Sequence, residues 1–347
     1  DGKLRSFSLA VFTLAYSNER YARLYESETM ICVQDAHVKC IEALGFVPNV
    51  FTYDNMRTVV KNFVGNDRFI TDGMKSLSLH YHFQIRLCQP RKGNEKGHVE
   101  RSVEYIRRKA FARQQQYLVS IIEKLNNRPH YLKEKTHHEL MLEERAERAG
   151  SLTAAPFDPA ELVELRVDKY STVTYRQNRY SVPEGRVGEY IKLKARAEEV
   201  LLFSEGECIA KHKRSWQVHT WVMNIYHYLN TLEKKKGALA QSECLSQAPK
   251  DIKNIYQRYY IGNEKDFLEL LVYVKERDCL TRVLEVITEL EKNPLVHITT
   301  EKIIFLAEQS AEVRTVLTDQ DDVTSQSLDN LSSLAALFHS KGTGVIH

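Results

Sequence analysis

Phe51-Thr52-Tyr53-Asp54-Asn55 is an extended apolar run that meets an acid, and 46 positions beyond Asp54 a second acid, Glu100, stands inside Pro90-Arg91-Lys92-Gly93-Asn94-Glu95-Lys96-Gly97-His98-Val99-Glu100-Arg101. Upstream of the first stretch, Met30, Val33, Ala36, Cys40 and Leu44 recur at helical spacing from a start at Ser27 or Glu28. Gly45, with Pro48 beyond it, predicts where that helix stops. Residues 4–16 read as a buried strand, Tyr21 to Tyr25 as a shorter edge partner, and Asn49 to Tyr53 as the strand that follows the helix. A carboxylate just past a strand's carboxyl end in an α/β sheet sits where ligands bind. Asp54-Asn55 also has the composition of a helix cap or turn pair.

Further along, residues 73–82 read as a helix and Phe83 to Cys88 as another strand. The Pro90 to Gly97 segment reads as a basic loop, and a long helix follows from about His98 to Asn126, with Val99, Val103 and Ile106 on its apolar stripe. Residues 86 to 109 hold Arg86, Arg91, Lys92, Lys96, Arg101, Arg107, Arg108 and Lys109 against Glu95, Glu100 and Glu104. This local excess says more about partners than the formal net charge of +3.

Two carboxylates among arginines and lysines suit divalent cations acting on a phosphodiester. Such ions take hard oxygen ligands, and a pair of them about 3.5–4 Å apart can serve both the attacking and the leaving oxygen. Asp54 and Glu100 are therefore the candidate catalytic residues and metal ligands, with Mg²⁺ (or Mn²⁺) the expected ion. Glu95 competes with Glu100, but a metal ligand belongs on a rigid element, and the first turn of a helix is more rigid than a Gly-, Asn- and Lys-rich loop. The plain alternative for Glu100 is ordinary first-turn helix stabilisation. Asn55, Arg91, Lys92, Lys96, Arg101, Arg107 and Arg108 are candidate DNA contacts, since mixed Arg and Lys beside glycines lets a backbone approach phosphate. A third carboxylate is expected on a central neighbouring strand. Asp1-Gly2-Lys3 reads as a hairpin turn without its first strand, so the sequence is expected to omit upstream residues that carry it.

Other chemistry is disfavoured. Gly93-Asn94-Glu95-Lys96-Gly97 lacks the spacing and terminal Lys-Ser/Thr of a phosphate-binding P-loop. His137-His138-Glu139 lacks zinc-hydrolase spacing, and His80 and His82 suit packing or DNA contact rather than catalysis. Six scattered cysteines argue for a reducing compartment without a disulfide framework. No apolar run approaches the roughly 20 residues of a membrane span. With 347 residues, of which 43% are hydrophobic, about two domains with sizeable cores are expected.

The second half changes pattern. After a helical linker over 129–161, short alternating segments over 162–216 (Val163-Leu165-Val167, Val173-Tyr175, Tyr180-Val182, Tyr190-Ile191-Leu193, Val200 to Phe203) fit a small antiparallel β-barrel. Lys192, Lys194 and Lys211 are its candidate DNA contacts. A helical region over 217–317 follows, with helices expected at Val222 to Leu232, Asp251 to Ile261, Glu264 to Val274, Asp278 to Glu291 and Thr300 to Gln309. Residues 318–347 read as a flexible or partner-binding tail.

Thr52-Tyr53-Asp54-Asn55, Cys88-Gln89-Pro90-Arg91 and Asn94-Glu95-Lys96-Gly97-His98-Val99-Glu100-Arg101 together resemble the IstA-like transposases of bacterial insertion sequences. The resemblance extends from Leu14-Ala15-Tyr16-Ser17 to Tyr180-Ser181-Val182-Pro183 and covers about 300 residues. It implies an α/β ribonuclease-H-like, integrase-type core over 1–128 that lacks its first strand, then the barrel and the helical region. It also implies a triad of two Asp and one Glu, in which Asp54 is the second member and Glu100 the third. The function it implies is pairing of insertion-sequence ends, processing of their 3′ ends and transfer into target DNA. The implied partners are terminal inverted-repeat DNA, target DNA, an AAA+ ATPase encoded by the same element and at least a second copy of the chain. The setting is bacterial, cytoplasmic and nucleoid-associated. A non-catalytic DNA-binding or assembly scaffold is the competing expectation, and a metal-dependent nuclease without joining activity a third.

Overall fold

The computed structural model describes residues 6–53, 56–64, 67–88, 115–148, 152, 155–292 and 297–319. These fall into two compact units, one within Asp1–Tyr180 and Gly188–Thr220, the other within Ser181–Val187 and Trp221–His347.

The first unit opens with β1 (Ser8–Thr13) and β2 (Arg20–Tyr25), antiparallel and paired from Ser8↔Tyr25 to Thr13↔Arg20. Asn18, at φ 56, makes the left-handed turn between them, a conformation that Asn tolerates better than most residues. α1 (Met30–Leu44) then stops at Gly45, whose φ of 74 lets its N–H reach the Ile41 carbonyl. β3 (Val50–Tyr53) runs parallel to β6 (Gln84–Leu87) in register from Val50↔Gln84 to Tyr53↔Leu87. Between them lie the hairpin of β4 (Val60–Val64) and β5 (Asp67–Ile70) and the helix α2 (Asp72–Tyr81). Parallel pairing demands a crossover, and α2 supplies its helix.

The buried faces meet in one core: Val38 and Ile41 from α1, Phe51 and Tyr53 from β3, Met74 and Leu77 from α2, and Phe83 before β6. α1 and α2 approach closely at Gly73, where an added Cβ would lie 2.7 Å from the Met30 Cγ. α3 (Gln115–Asn126) covers β2 with Leu118, Ile121, Ile122 and Leu125. α4 (His137–Glu147) begins with a capping box in which the Thr136 hydroxyl accepts from the Glu139 N–H and the Glu139 carboxylate accepts from the Thr136 N–H.

Within this core His37 is fully enclosed. Its Nδ1 lies 2.6 Å from the Val33 carbonyl and its Nε2 2.8 Å from the Tyr53 hydroxyl. Phe12, Phe51 and Phe83 surround the ring at centroid distances of 4.8, 5.1 and 6.4 Å. Burial pushes the imidazole down to about 4, because a charge here would lose its water.

The remainder of the unit is β-rich. β7 (Glu161–Arg166), β8 (Thr172–Tyr175), β9 (Asn178–Ser181), β10 (Tyr190–Ala195), β11 (Glu199–Ser204) and β12 (Glu207–Lys213) follow in order. Four of them form an antiparallel sheet in the order β12-β11-β10-β7, while β8 and β9 pair in a separate sheet. The expected barrel is therefore corrected: among the described residues no sheet closes on itself. Alternation along a strand shows which face is buried, not which edges pair. Here Asp168 bends the chain after β7, its Oδ1 accepting from the Tyr170 and Thr172 N–H groups at 2.9 and 3.0 Å. β8 and β9 then lie across the sheet, with the Tyr180 ring 5.9 Å from His212 and the Tyr175 hydroxyl donating to Glu161 at 2.6 Å. Trp216 and Ala197 pack with Tyr25, Ile31, Cys32 and Ala36, and Arg23 bonds Glu198 at 2.7 Å.

The second unit is helical: α5 (Leu229–Lys234), α6 (Glu243–Gln247), α7 (Lys250–Ile255), α8 (Glu264–Arg277), α9 (Leu280–Glu291) and α10 (Thr300–Asp319). Phe267, Leu271, Val283, Val286 and Ile303 are central to its core. The helix expected over Val222 to Leu232 forms only from Leu229. Asn224 caps a single 3₁₀ turn (Ile225–His227) by accepting from the Tyr226 N–H, and so separates that turn from the extended chain before it. No described helix is long and apolar enough to cross a membrane.

Two outcomes follow from this packing. Leu193 is fully buried and Leu162, on the opposite face of the same sheet, is 72% exposed; Leu193→Ala should cost about 2–5 kcal/mol and Leu162→Ala less than about 0.5 kcal/mol, both measured by chemical denaturation. The unfolded chain protonates His37 below about 6.5, the folded chain only below about 4. The unfolded state therefore holds the extra proton between those values, and stability rises with pH across the window. This group alone should remove on the order of 3 kcal/mol as pH falls through it. A denaturation series from pH 4 to 7 should show a shallower slope for His37→Leu than for the parent.

Candidate active site

The parallel strands β3 and β6 end side by side. The Tyr53 carbonyl accepts from the Cys88 N–H at 2.8 Å, one step beyond the last paired residues, Tyr53 and Leu87. In sequence, Asp54 and Asn55 follow the first strand, and Gln89-Pro90-Arg91 and the basic segment that leads to Glu100 follow the second. Asp54, Asn55, Arg91, Lys92, Glu95, Lys96, Glu100, Arg101, Arg107 and Arg108 lie outside the described residues, as do the start of the helix expected from His98 and most of the tail from 318. What the structure places is the platform from which both segments leave.

That platform is rigid for identifiable reasons. A carbonyl only accepts, so the Val33 contact fixes the proton of neutral His37 on Nδ1. Nε2 is then the acceptor and the Tyr53 hydroxyl the donor. Both nitrogens are thus occupied, which leaves His37 no lone pair for a metal. The Tyr53 hydroxyl is pushed well above the ordinary phenol range by its burial and stays protonated.

A second polar cluster ties the β1–β2 turn to the chain around α4. The Asn18 side-chain amide nitrogen meets His130 Nε2 at 2.7 Å, His137 Nδ1 donates to the Ser17 carbonyl at 2.8 Å, and His138 Nδ1 lies 3.2 Å from the Glu19 carboxylate. Asn126 reaches the same turn from the end of α3, accepting from the Arg20 N–H and donating to the Arg20 carbonyl. Burial raises Glu19 against the opposing pull of His138, and burial lowers His137. His137 thus holds a turn in place. His80 meets the Ala155 carbonyl at 2.7 Å and packs on Phe157. Asn18, Asn126 and His130 were not legible in the sequence: Pro129-His130 carries no periodicity, and the residues that Asn18 and Asn126 meet stand more than 100 positions away.

Of the sheet lysines, Lys192 is exposed, Lys194 is paired with Asp158, and Lys211 lies 2.7 Å from Glu199, which Arg196 also contacts. Lys194 and Lys211 both stand opposite Leu201, so they share one row across three strands. The six cysteines are free thiols.

Comparison with known proteins bears on the family of the chain. Residues 152–224, which span the two-sheet region, match the family described as Mu transposase, C-terminal domain. The transposase for insertion sequences IS1326/IS1353 of Pseudomonas aeruginosa is 31% identical over 296 residues, covering 80% of this chain and 58% of the relative. The transposase for insertion sequence element IS21 from the same organism is 26% identical over 227 residues, covering 61% of this chain and 57% of the relative. The chain therefore spans a little over half the length of these curated relatives. A chain of the simian T-cell lymphotropic virus intasome, solved in complex with PP2A regulatory subunit B56 gamma, aligns over 61% of this chain and 71% of its own length. At 14% identity and a TM-score of 0.33 that likeness carries no argument. On the sequence matches, this chain belongs to the IstA-like transposases of bacterial insertion sequences.

Proposed function

We propose that the chain forms part of a DNA transposase that pairs insertion-sequence ends, processes their 3′ ends and joins them to target DNA by metal-dependent phosphoryl transfer. The observation that carries this reading is the parallel β3–β6 pair, whose strands end together at Tyr53 and Cys88, one running on to Asp54 and the other to the basic segment and Glu100. Active sites of open α/β sheets lie at such carboxyl ends.

The catalytic core is of the ribonuclease-H-like type in this proposal, with one further central strand. Among the described residues β1 pairs with β2 alone and β3 with β6 alone, so each has an edge for such a strand. Phe12 of β1 and Phe51 of β3 already share one aromatic core, with centroids 6.0 Å apart. The first aspartate of the triad belongs on that strand.

Asp54 and Glu100 hold Mg²⁺, or Mn²⁺ in its place; the donor chemistry fits, since both offer hard carboxylate oxygens while buried His37 offers no free nitrogen. Bound there, the ions supply charge that favours an attacking hydroxyl and offsets the developing charge on the leaving oxygen. Neither carboxylate acts as nucleophile: water attacks during end processing and the exposed 3′-hydroxyl attacks during joining. Asn55, Arg91, Lys92, Lys96, Arg101, Arg107 and Arg108 position the DNA backbone. Lys192 contributes from the sheet, with Lys194 and Lys211 less available because carboxylates already hold them. The partners are terminal inverted-repeat DNA, target DNA, an element-encoded AAA+ ATPase and a second copy of the chain, all in the bacterial cytoplasm at the nucleoid.

The test is strand joining by the full-length protein with Mg²⁺, pre-cleaved element-end DNA, target DNA and the ATPase. Glu100→Gln and Asp54→Asn should each cut joined product by more than about 100-fold, equivalent to about 3 kcal/mol of barrier, with end-DNA binding retained and Glu95→Gln near the parent. Joining by Glu100→Gln at the parental rate overturns the ligand assignment. A parent that binds ends but never joins them is a scaffold, and one that cleaves without joining is a nuclease. In a salt titration of end-DNA binding, Lys192→Ala should reduce the log–log slope by about 1 and Lys211→Ala by less.

A further inference from the structure

Two hairpin turns in the β-rich part of the first unit meet the same demand with different residues. A two-residue turn between antiparallel strands can set both central residues in the left-handed region, which suits Gly, Asn and Asp. Between β11 and β12, where Ser204 pairs with Glu207, the central pair is Glu205 at φ 52 and Gly206 at φ 91. Between β8 and β9 it is Arg176 at φ 45 and Gln177 at φ 64. Neither carries the short polar side chain that eases this conformation. His219, at φ 58, donates its N–H to the Gln177 carbonyl at 3.2 Å, so three strained non-glycine residues meet at one tip. Backbone strain of this kind persists where the surroundings over-determine it, and it gathers at ligand contacts. The frame here is Asn178, whose side-chain nitrogen donates to the Ser215 and Gln217 carbonyls at 3.2 and 2.6 Å and whose oxygen accepts from the Thr220 N–H at 2.9 Å. On the other strand the Tyr175 hydroxyl is bound to Glu161. Arg176 and Gln177 stand exposed beyond this frame.

We propose that the β8–β9 tip is a DNA contact in which Arg176 and Gln177 hydrogen-bond base edges of the insertion-sequence end. This rests on the DNA transposase reading above and adds a surface on a different sheet from that of Lys192. Arg and Gln are side chains that make paired hydrogen bonds to guanine and adenine in the major groove, which is wide enough for a two-stranded ribbon. Gln177 carries no charge, so general attraction to phosphate does not account for it, whereas a hydrogen bond to a base accounts for an amide held there. Arg176 gives its Nη2 to Glu161 at 2.9 Å, but a guanidinium has five N–H donors, and about half of this side chain is exposed. Asp168, the acid that bends the chain before β8, is paired with Arg179. Glu161 and Asp168 are thus both matched by arginines when a DNA backbone approaches.

The experiment reads the melting temperature of the full-length transposase and its affinity for a duplex carrying the element end and for a scrambled duplex, all at one salt concentration. The variants are Arg176→Asn/Gln177→Gly, which gives the β8–β9 turn its preferred residues, and Glu205→Asn, which makes the same improvement in the β11–β12 turn. Each should melt about 2–4 °C higher. Arg176→Asn/Gln177→Gly should also bind the element end about 10-fold more weakly, the loss expected for a paired base contact, with little change on the scrambled duplex. Glu205→Asn should bind both duplexes as the parent does. Parental binding of the element end by the double variant, at a raised melting temperature, marks a turn strained without use and overturns the proposal. An equal loss on both duplexes marks a phosphate contact by Arg176 alone and overturns the base contact. A melting temperature that does not rise removes the strain on which the inference stands. A parent that binds neither duplex overturns the DNA reading itself, whereas a parent that binds the element end while the double variant matches it counts against the tip alone.

Discussion

Everything in the first unit's core is arranged around one constraint, that two parallel strands must end together. Parallel pairing of β3 and β6 obliges the chain between them to cross over, and α2 lands on α1 at Gly73, where an added Cβ would lie 2.7 Å from the Met30 Cγ and oblige that side chain to shift. α1 covers the strand pair, and its one enclosed polar side chain within the aromatic shell, His37, is spent on the last residue of β3. Because the helix, the strand and the crossover all bear on Tyr53, the point at which the chain leaves the sheet is determined from several directions. A carboxylate that must be placed to within a fraction of an ångström is best attached to such a point.

This part of the fold was readable for physical reasons. The apolar positions of α1 repeat at helical spacing, Gly45 supplies the left-handed residue that ends it, and the extended run ends in Tyr53 before a polar pair. The hairpin of β4 and β5 was passed over although Gly65-Asn66 stands between Val64 and Asp67, the composition of a two-residue turn. It was missed because the strands are short and Lys61, Asn62 and Arg68 dilute the apolar signal. In the second half, alternation gave most of the strands correctly and the closure wrongly. Whether β7 pairs with β8 is decided by the Asp168 turn and by Tyr175 and Tyr180 reaching across to Glu161 and Ser215, contacts that no local pattern announces. Asn224 likewise shortened an expected helix through a single side-chain cap.

The candidate site divides along the same line. Asp54 and Glu100 are proposed from the sequence because their chemistry stands in short, unusual stretches, and both lie outside the described residues. His37 was hidden because a histidine on the buried face of an amphipathic helix has no sequence signature: only the structure shows that Val33 and Tyr53 occupy its two nitrogens. The lysines of the sheet show the converse. Lys192, Lys194 and Lys211 look equivalent as charges in a sequence, yet two of them already face carboxylates across the sheet surface. A charge neutralised in the free protein must give up that partner before it gains by meeting phosphate, so equal charges make unequal contacts.

The buried polar contacts of the β1–β2 turn extend the argument from one residue to one edge. Asn18 to His130, His137 to Ser17 and Asn126 to Arg20 each join segments more than 100 positions apart. Apolar packing alone tolerates small slips between such segments, because one methyl group can replace another. A hydrogen-bonded buried group does not, since a shifted neighbour leaves it unpaired at full desolvation cost. β1 is thereby held in one position relative to α3 and α4 through contacts that contribute little net stability but exclude alternatives.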